Sequence, residues 1–299
     1  MYFVRFFDIE PEFIGFIYLK ITSSSTTYLQ QYTIMHFSII IPTYNNRSLL
    51  KRTLKPLVQQ RSIDFEILVV DDSTSNIIES YISRLNIKNL KYYHNLPSFG
   101  AVKNWNYGLT LAKGEYIILL HHDEYFMDDR HFLHKCLTRF ENSENDIIIV
   151  NSCVNFTDGS ARKQKIPYKI KSFILNHFPS MLFVSNIIGP TSCVVIKRDL
   201  VEPFNEKLKW LVDIDWYYRI IKNRKIALNN ELFIGSIHGH EGQITNSLNI
   251  KETGIADQLE LRNYYGKWSI VSFALILRSL AYFVKGKLFK DYNPIWGKS

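Results

Sequence analysis

The 299-residue chain is short of the residues that staple a fold or cradle a phosphate. Its cysteines, Cys136, Cys153 and Cys193, are odd in number, widely spaced and in apolar company. That pattern excludes a disulfide or zinc framework and reads as buried free thiols of a reducing compartment. No glycine-rich turn follows the first apolar strand, and no Gly-Lys-Ser/Thr is present, so the dinucleotide folds and P-loops are excluded. Zinc-finger spacing and an RNP-like motif are missing and the basic residues are scattered, which argues against nucleic acid as a partner. Long apolar runs are missing too. Residues 13–19 follow Asp8, Glu10 and Glu12 instead of a basic stretch, which makes a poor signal peptide. Residues 268–284 are nearly all apolar but fall short of a membrane span and carry a central Arg278.

What is present is an ordinary globular composition, 46% hydrophobic and 21% charged, with a net charge of +8. The excess of positive charge favours anionic partners such as nucleotides or phospholipid headgroups. Short apolar runs at residues 37–41, 65–70, 90–93 and 116–120 read as buried strands. They alternate with helical spacing at 49–58, 77–85, 100–112 and 131–140. This alternation predicts a mostly parallel α/β sheet with helices on both faces. Further on it weakens, with helices expected over 172–183 and 210–221 and a strand over 191–196. No repeat or low-complexity linker divides residues 36–250, which are expected to form one domain.

Three polar clusters stand at strand ends: Pro42-Thr43-Tyr44-Asn45, Asp71-Asp72-Ser73 and His121-His122-Asp123-Glu124. In an open α/β sheet, ligands bind beyond the carboxyl ends of parallel strands, so these clusters are expected to share one crevice. Taken singly, the first is any strand-to-loop turn, and the Asp pair serves equally as a helix cap. Carboxylate oxygens in the third cluster suit Mg²⁺ or Mn²⁺ carrying a substrate phosphate. A dinuclear hydrolase using the nearby His131 and His134 is the competing metal reading, although no hydrolase motif is complete.

Together these motifs resemble the inverting family 2 glycosyltransferases of the Rossmann-like GT-A fold. The match runs through Ser38-Ile-Ile-Ile-Pro-Thr-Tyr-Asn45, Glu66-Ile-Leu-Val-Val-Asp-Asp72, Asn95, Gly100, Asn106, Ala112-Lys-Gly-Glu-Tyr-Ile117 and His121–Glu124. It continues more weakly through Gly189-Pro-Thr-Ser192, Trp210-Leu-Val-Asp-Ile-Asp-Trp216 and His240-Glu-Gly-Gln-Ile-Thr245. The resemblance implies that Pro42, Thr43, Tyr44, Asn45, Asp71 and Asp72 hold the nucleotide, with Asp72 accepting the N3–H of a uracil. Gly100, Lys103, Asn106, His121 and His122 complete the donor site. Asp123 takes the metal-binding place of the family's Asp-x-Asp signature, whose first acid is replaced by His121. His240 joins the metal from a late loop, the ion being Mn²⁺ or Mg²⁺. Trp105 stands where the family often carries an Arg. Asp213 is the implied catalytic base and Asp215 the second candidate.

The function so implied is transfer of a sugar from a nucleoside-diphosphate donor, UDP preferred, to an acceptor hydroxyl on a glycan or lipid-linked chain of a surface polysaccharide or lipopolysaccharide. A non-catalytic nucleotide-sugar-binding or assembly protein of the same fold, and a membrane-associated interaction module, are the rivals. Residues 1–35 are an uncertain leader, with Met35 the expected natural start, and 251–299 a helical tail. That tail is expected either to dock on the domain or to lie on the cytoplasmic face of an anionic membrane, Lys285, Lys287 and Lys290 following its apolar stretch.

Overall fold

The computed structural model describes residues 35–127, 130–163, 166–240 and 249–288, with side chains to Val284 in the last stretch. The leader, and residues 241–245 of the late motif, lie outside them. Strand β1 (Phe37–Thr43) is buried at every position. A strand covered on both faces needs consecutive apolar residues, which is why Ile39, Ile40 and Ile41 are adjacent. β2 (Phe65–Asp71) and β4 (Tyr116–Leu119) flank it in parallel, and β3 (Leu90–His94) lies parallel beyond β2. The crossovers carry α1 (Arg47–Leu57), α2 (Ile77–Ile82) and α3 (Ala101–Leu111). Asn46 caps α1 by accepting from the Leu49 amide at 3.1 Å. Thr43 pairs with Asp71 and Ile40 with Leu119, so the loops behind three strands open at one edge.

The second half of the sheet is mixed. It contains β5 (Glu124–Phe126), β6 (Ile147–Phe156), β7 (Ala161–Lys163), β8 (Val194–Lys197) and β9 (Ile226–His238). The sheet order is β3-β2-β1-β4-β8-β6-β9-β5, with β7 on β6. β8 runs antiparallel to β4 and β6, and β5 antiparallel to β9, whereas β6 and β9 are parallel. The parallel expectation therefore describes the first four strands. Helices α4 (Phe132–Glu141), α5 (Tyr168–His177) and α6 (Val212–Ile221) cover this half. The helix expected over 172–183 starts earlier and stops at His177, because Pro179 opens a separate 3-10 turn over Pro179–Phe183. Of the strand expected over 191–196, Thr191–Cys193 is a 3-10 turn and pairing begins at Val194.

Two C-terminal helices, α7 (Ile250–Tyr265) and α8 (Ile270–Leu288), follow. Their Leu261, Val271, Ala274 and Leu275 join the same core as α6 and the 3-10 turn at Phe183. Among the described residues no helix is long and apolar enough to cross a membrane.

The Ala112-Lys-Gly-Glu motif has a steric origin. A Cβ on Gly114 would lie 2.4 Å from the Phe37 carbonyl carbon and 2.5 Å from the Ser38 nitrogen. The Gly114 amide instead donates to Ser38 Oγ (2.8 Å), which donates to the buried Glu66 (2.7 Å), itself paired with Lys91 (2.7 Å). Gly114→Ala is expected to cost about 1–3 kcal/mol, since the atoms in its way are backbone. The urea midpoint should fall at unchanged m-value, and an unmoved midpoint would contradict this packing.

Candidate active site

Asp71 and Asp72 end β2 side by side and do different work. Asp71 is fully buried and accepts from the Ser73 amide (3.0 Å), the Ser73 hydroxyl and the Tyr92 hydroxyl (2.7 Å). It is closed off from any nucleotide, which corrects its expected role. Asp72 is 4% exposed. Its Oδ1 accepts from Asn95 Nδ2 (3.1 Å) and the Phe99 amide (2.7 Å), and its Oδ2 from Ser98 Oγ (2.7 Å) and the Gly100 amide (2.8 Å). A carboxylate has about four lone-pair sites, so a uracil N3–H has to displace one of these donors. Gly100 opens α3 with φ +83°, a conformation that disfavours any side chain.

The first loop is shaped by the same edge. Asn45, at φ 47°, donates its amide to Ser73 Oγ at 2.7 Å and its side chain to Thr74 at 3.2 Å. Thr43 is buried with its hydroxyl unpartnered among the described residues, and the Tyr44 ring is exposed. The Pro42 carbonyl meets His122 Nδ1 at 3.3 Å. On α3, Asn106 donates to the Phe204 carbonyl (3.0 Å) and accepts from the Phe204 amide (2.7 Å). This two-way clamp makes Asn106 a structural tie and corrects its expected place in the donor site. Asn104, which sequence reasoning passed over, joins Asn95 (2.8 Å) to the Val70 carbonyl (3.0 Å) beneath Asp72. Lys103 is exposed on the same helix.

The third cluster is a tight turn between β4 and β5, closed by the Glu124 amide on the His121 carbonyl (3.0 Å). Ligand atoms of His121, Asp123 and Glu124 lie within 4.8 Å of one another. His240 Nε2 stands 3.1 Å from Asp123 Oδ2, so the late loop does return to this acid. The His121 ring lies against Trp105, with centroids 4.8 Å apart. Burial pushes the Asp123 carboxyl up, but the His240 hydrogen bond and the imidazoles of His122 and His121 outweigh it and hold the carboxyl below its ordinary range. Burial pushes Glu124 up to about 8, helped by the Asp123 charge. Burial also pushes His121 down to about 4 and lowers His122 and His238. His121 Nε2 is a buried nitrogen with no hydrogen-bond partner among the described residues. A neutral imidazole with that nitrogen unpartnered and its Nδ1 3.7 Å from Glu124 Oε1 fits a divalent cation held with the two carboxylates.

Asp213 and Asp215 leave α6 in opposite directions. Asp215 is 1% exposed and paired with Arg219 Nε (2.9 Å) and the Tyr265 hydroxyl (2.7 Å). It is enclosed by structure, which removes it as a candidate base. Asp213 is half-buried and accepts from Asn186 Nδ2 (3.1 Å) and the Ile214 amide (2.9 Å). Burial pushes it up to about 6, with the Ile214 amide and the Arg278 charge pulling the other way. Asn186 also binds both the amide and the carbonyl of Gly189 at 2.9 Å. Tyr217 donates to that carbonyl at 2.9 Å, and its phenol, raised first by burial, also feels Asp213, Cys193 and Glu124. The Gly189–Cys193 segment thus links the Asp213 end of the crevice to the Asp123 end.

Two of the residues that place Asp213 left little signal in the sequence. Asp257 on α7 accepts from the amides of Lys209 (3.1 Å), Trp210 (2.6 Å) and Leu211 (2.7 Å) and so fixes the turn that leads into α6. Asn186 is the other; its spacing to Gly189 fits a turn, which was its only clue.

A mixed α/β sheet with acids at the carboxyl edge of its parallel half has the fold of the GT-A class. More narrowly, the chain belongs to glycosyl transferase family 2, whose model matches residues 38–204. It is 26% identical over 197 residues to the uncharacterized protein MT1568 of Mycobacterium tuberculosis, covering 62% of this chain and 61% of the relative. It is 30% identical over 122 residues to the poly(ribitol-phosphate) beta-N-acetylglucosaminyltransferase TarS of Staphylococcus aureus, covering 39% and 21%. The chain thus spans less than two thirds of the length of either relative. The crystal structure of TarS 1–349 in complex with UDP-GlcNAc superposes with a TM-score of 0.64 at 19% identity over 86% of this chain and 76% of that one. The mannosyltransferase PcManGT from Pyrobaculum calidifontis, in complex with GDP-Man and Mn²⁺, gives 0.57 at 15% identity over 85% and 76%.

The two α6 acids should separate on mutation. Asp215→Asn breaks a buried ion pair and is expected to lose about 3–5 kcal/mol in denaturant unfolding at pH 7. Asp213→Asn should lose under about 1 kcal/mol or gain stability, because the native site raises the cost of its charge. Equal losses would contradict the assignment.

Proposed function

We propose that the protein transfers a sugar from a nucleoside-diphosphate sugar, UDP-sugar preferred, to an acceptor hydroxyl with inversion. The observation that carries this reading is Asp213, a sparsely hydrogen-bonded carboxylate raised to about 6 and linked through Gly189 and Tyr217 to the Asp123 cluster. A base of that strength is largely ionised at pH 7 and still able to take a proton. It removes the acceptor hydroxyl proton as that oxygen bonds to C1, while the C1–O bond to the diphosphate breaks on the opposite face. One carboxylate suffices, because the departing diphosphate needs no proton, unlike the alcohol expelled in glycoside hydrolysis. Asp123 and His240, with His121 and Glu124, are the residues to hold a divalent ion, which when bound offsets the charge of the leaving diphosphate. Exposed Tyr44 offers a face for the base, and exposed Lys103 a cation for the diphosphate. UDP-GlcNAc in the TarS complex supports a UDP-sugar, and the TarS name supports an acceptor in surface-polymer synthesis.

UDP release from UDP-sugars with Mn²⁺ should fall about 10²–10⁴-fold in Asp213→Asn. In the wild-type enzyme kcat should drop about tenfold per pH unit below pH 6, where Asp213 is protonated, and level off above it. Donor binding without turnover would favour the non-catalytic rival.

We further place the protein on the cytoplasmic surface of a membrane. Helix α8 buries Val271, Ala274, Leu275 and Arg278, yet its opposite face exposes Ile270, Phe273, Leu280 and Phe283, each at 54–62%. Arg278 turns inward to the Phe183 carbonyl (3.3 Å) and the Tyr282 hydroxyl (3.2 Å), so it is off the outer face. An apolar face flanked in sequence by Lys267, Lys285, Lys287 and Lys290 suits an anionic lipid surface. The protein should sediment with phosphatidylglycerol vesicles but not phosphatidylcholine ones, and Phe273→Asp with Phe283→Asp should abolish this. Unchanged sedimentation of the double variant, or a wild-type dimer that the variant dissolves, would overturn the placement.

A further inference from the structure

Two departures from the family pattern touch each other. Trp105 stands where an Arg is often found and His121 where an Asp is, and their rings pack at 4.8 Å with a 33° tilt. Phe204 closes the far side of Trp105 edge-on at 5.4 Å. Two neutral rings thus pack where the resemblance leads one to expect a cation and an anion. Four of the nine histidines, His121, His122, His238 and His240, surround Asp123. His122 is oriented by the Pro42 carbonyl, which takes the Nδ1 proton and leaves Nε2 as a lone pair. His240 already contacts the Asp123 carboxylate at 3.1 Å, and His121 Nε2 is buried with no hydrogen-bond partner among the described residues. His121 Nδ1 stands 3.7 Å from Glu124 Oε1, and one ring nitrogen of His121 and one carboxylate oxygen each of Asp123 and Glu124 lie within 4.8 Å of one another.

We propose that this cluster is a mixed imidazole–carboxylate site, built by His121 and His240 to select a nitrogen-accepting transition ion against Mg²⁺. The proposal rests on the reading of this turn as the metal end of the donor site. Mg²⁺ demands a near-octahedral shell of oxygens and keeps its waters, so imidazoles add little to its binding. Along Mn²⁺, Fe²⁺ and Co²⁺, affinity for nitrogen donors rises, so each imidazole widens the gap to Mg²⁺. Trp105 holds the His121 ring at the cluster in the place of the missing ion pair.

The test uses the full chain, stripped of metal, with Co²⁺ and Mg²⁺ alone as probes. Binding is read from the visible d–d absorption of Co²⁺, its displacement by Mg²⁺, and the shift in thermal midpoint. One saturable Co²⁺ site is expected, with Mg²⁺ displacing it only in large excess. His121→Asp should narrow the Co²⁺-to-Mg²⁺ preference by about tenfold or more, and His240→Gln should narrow it similarly. His240 stands past the end of β9, so His240→Gln keeps the test open if the first variant fails to fold. Absence of saturable Co²⁺ binding, equal displacement by Mg²⁺, or an unchanged preference in the variants would overturn the proposal. Sugar transfer that runs as well on Mg²⁺ as on Mn²⁺ would leave the enzymatic reading standing and remove this one alone.

Discussion

A carboxylate withdrawn from water must be met by donors, and how completely each acid is met sorts the acids of this crevice. Asp71 has three donors, Asp72 four, Asp257 the amides ahead of α6, and Asp215 a guanidinium and a phenol. These acids are spent on architecture: they fix the 95–100 loop, the start of α3 and the seat of α6. Asp123 and Asp213 are served more sparsely, by His240 in one case and by Asn186 and Ile214 in the other. Unmet capacity in a half-buried site is what a cation or a proton can use.

The parallel half of the sheet was legible because both of its faces are covered. Consecutive apolar residues ending in acids mark such strands and point their ends at one edge, which is where Thr43, Asp71 and the turn after Leu119 stand. In the second half of the sheet the signal fades for identifiable reasons. β5 has three residues, too few for a period, and the polar run Asn229-Asn230-Glu231 interrupts β9 near the register shift against β6. In the site, Asp213, Asp123 and His240 could be named from motif order. Asn106 could not be read correctly, because a motif gives a residue's place and not its partner, and here the partner is Phe204 almost a hundred residues on. Asp257 and Tyr265 act on α6 from a helix separated from it by about thirty residues, with no local pattern to betray them.

The C-terminal helices act on the helix that carries Asp213. α7 fixes the turn that leads into α6 and braces that helix, while α8 places Arg278 inward, where its charge is felt by Asp213, and leaves an apolar face outward.

The central claim is that Asp123 and Asp213 face one bound donor from its two ends. A crystal structure of the protein with a non-transferable UDP-sugar and Mn²⁺ tests it most directly. The account predicts an anomalous peak on Asp123 and His240, the diphosphate against it, and the anomeric carbon open to Asp213, with the Asp71 and Asp215 contacts unchanged. An ion seated away from Asp123, or a sugar whose anomeric carbon is turned from Asp213, would contradict it.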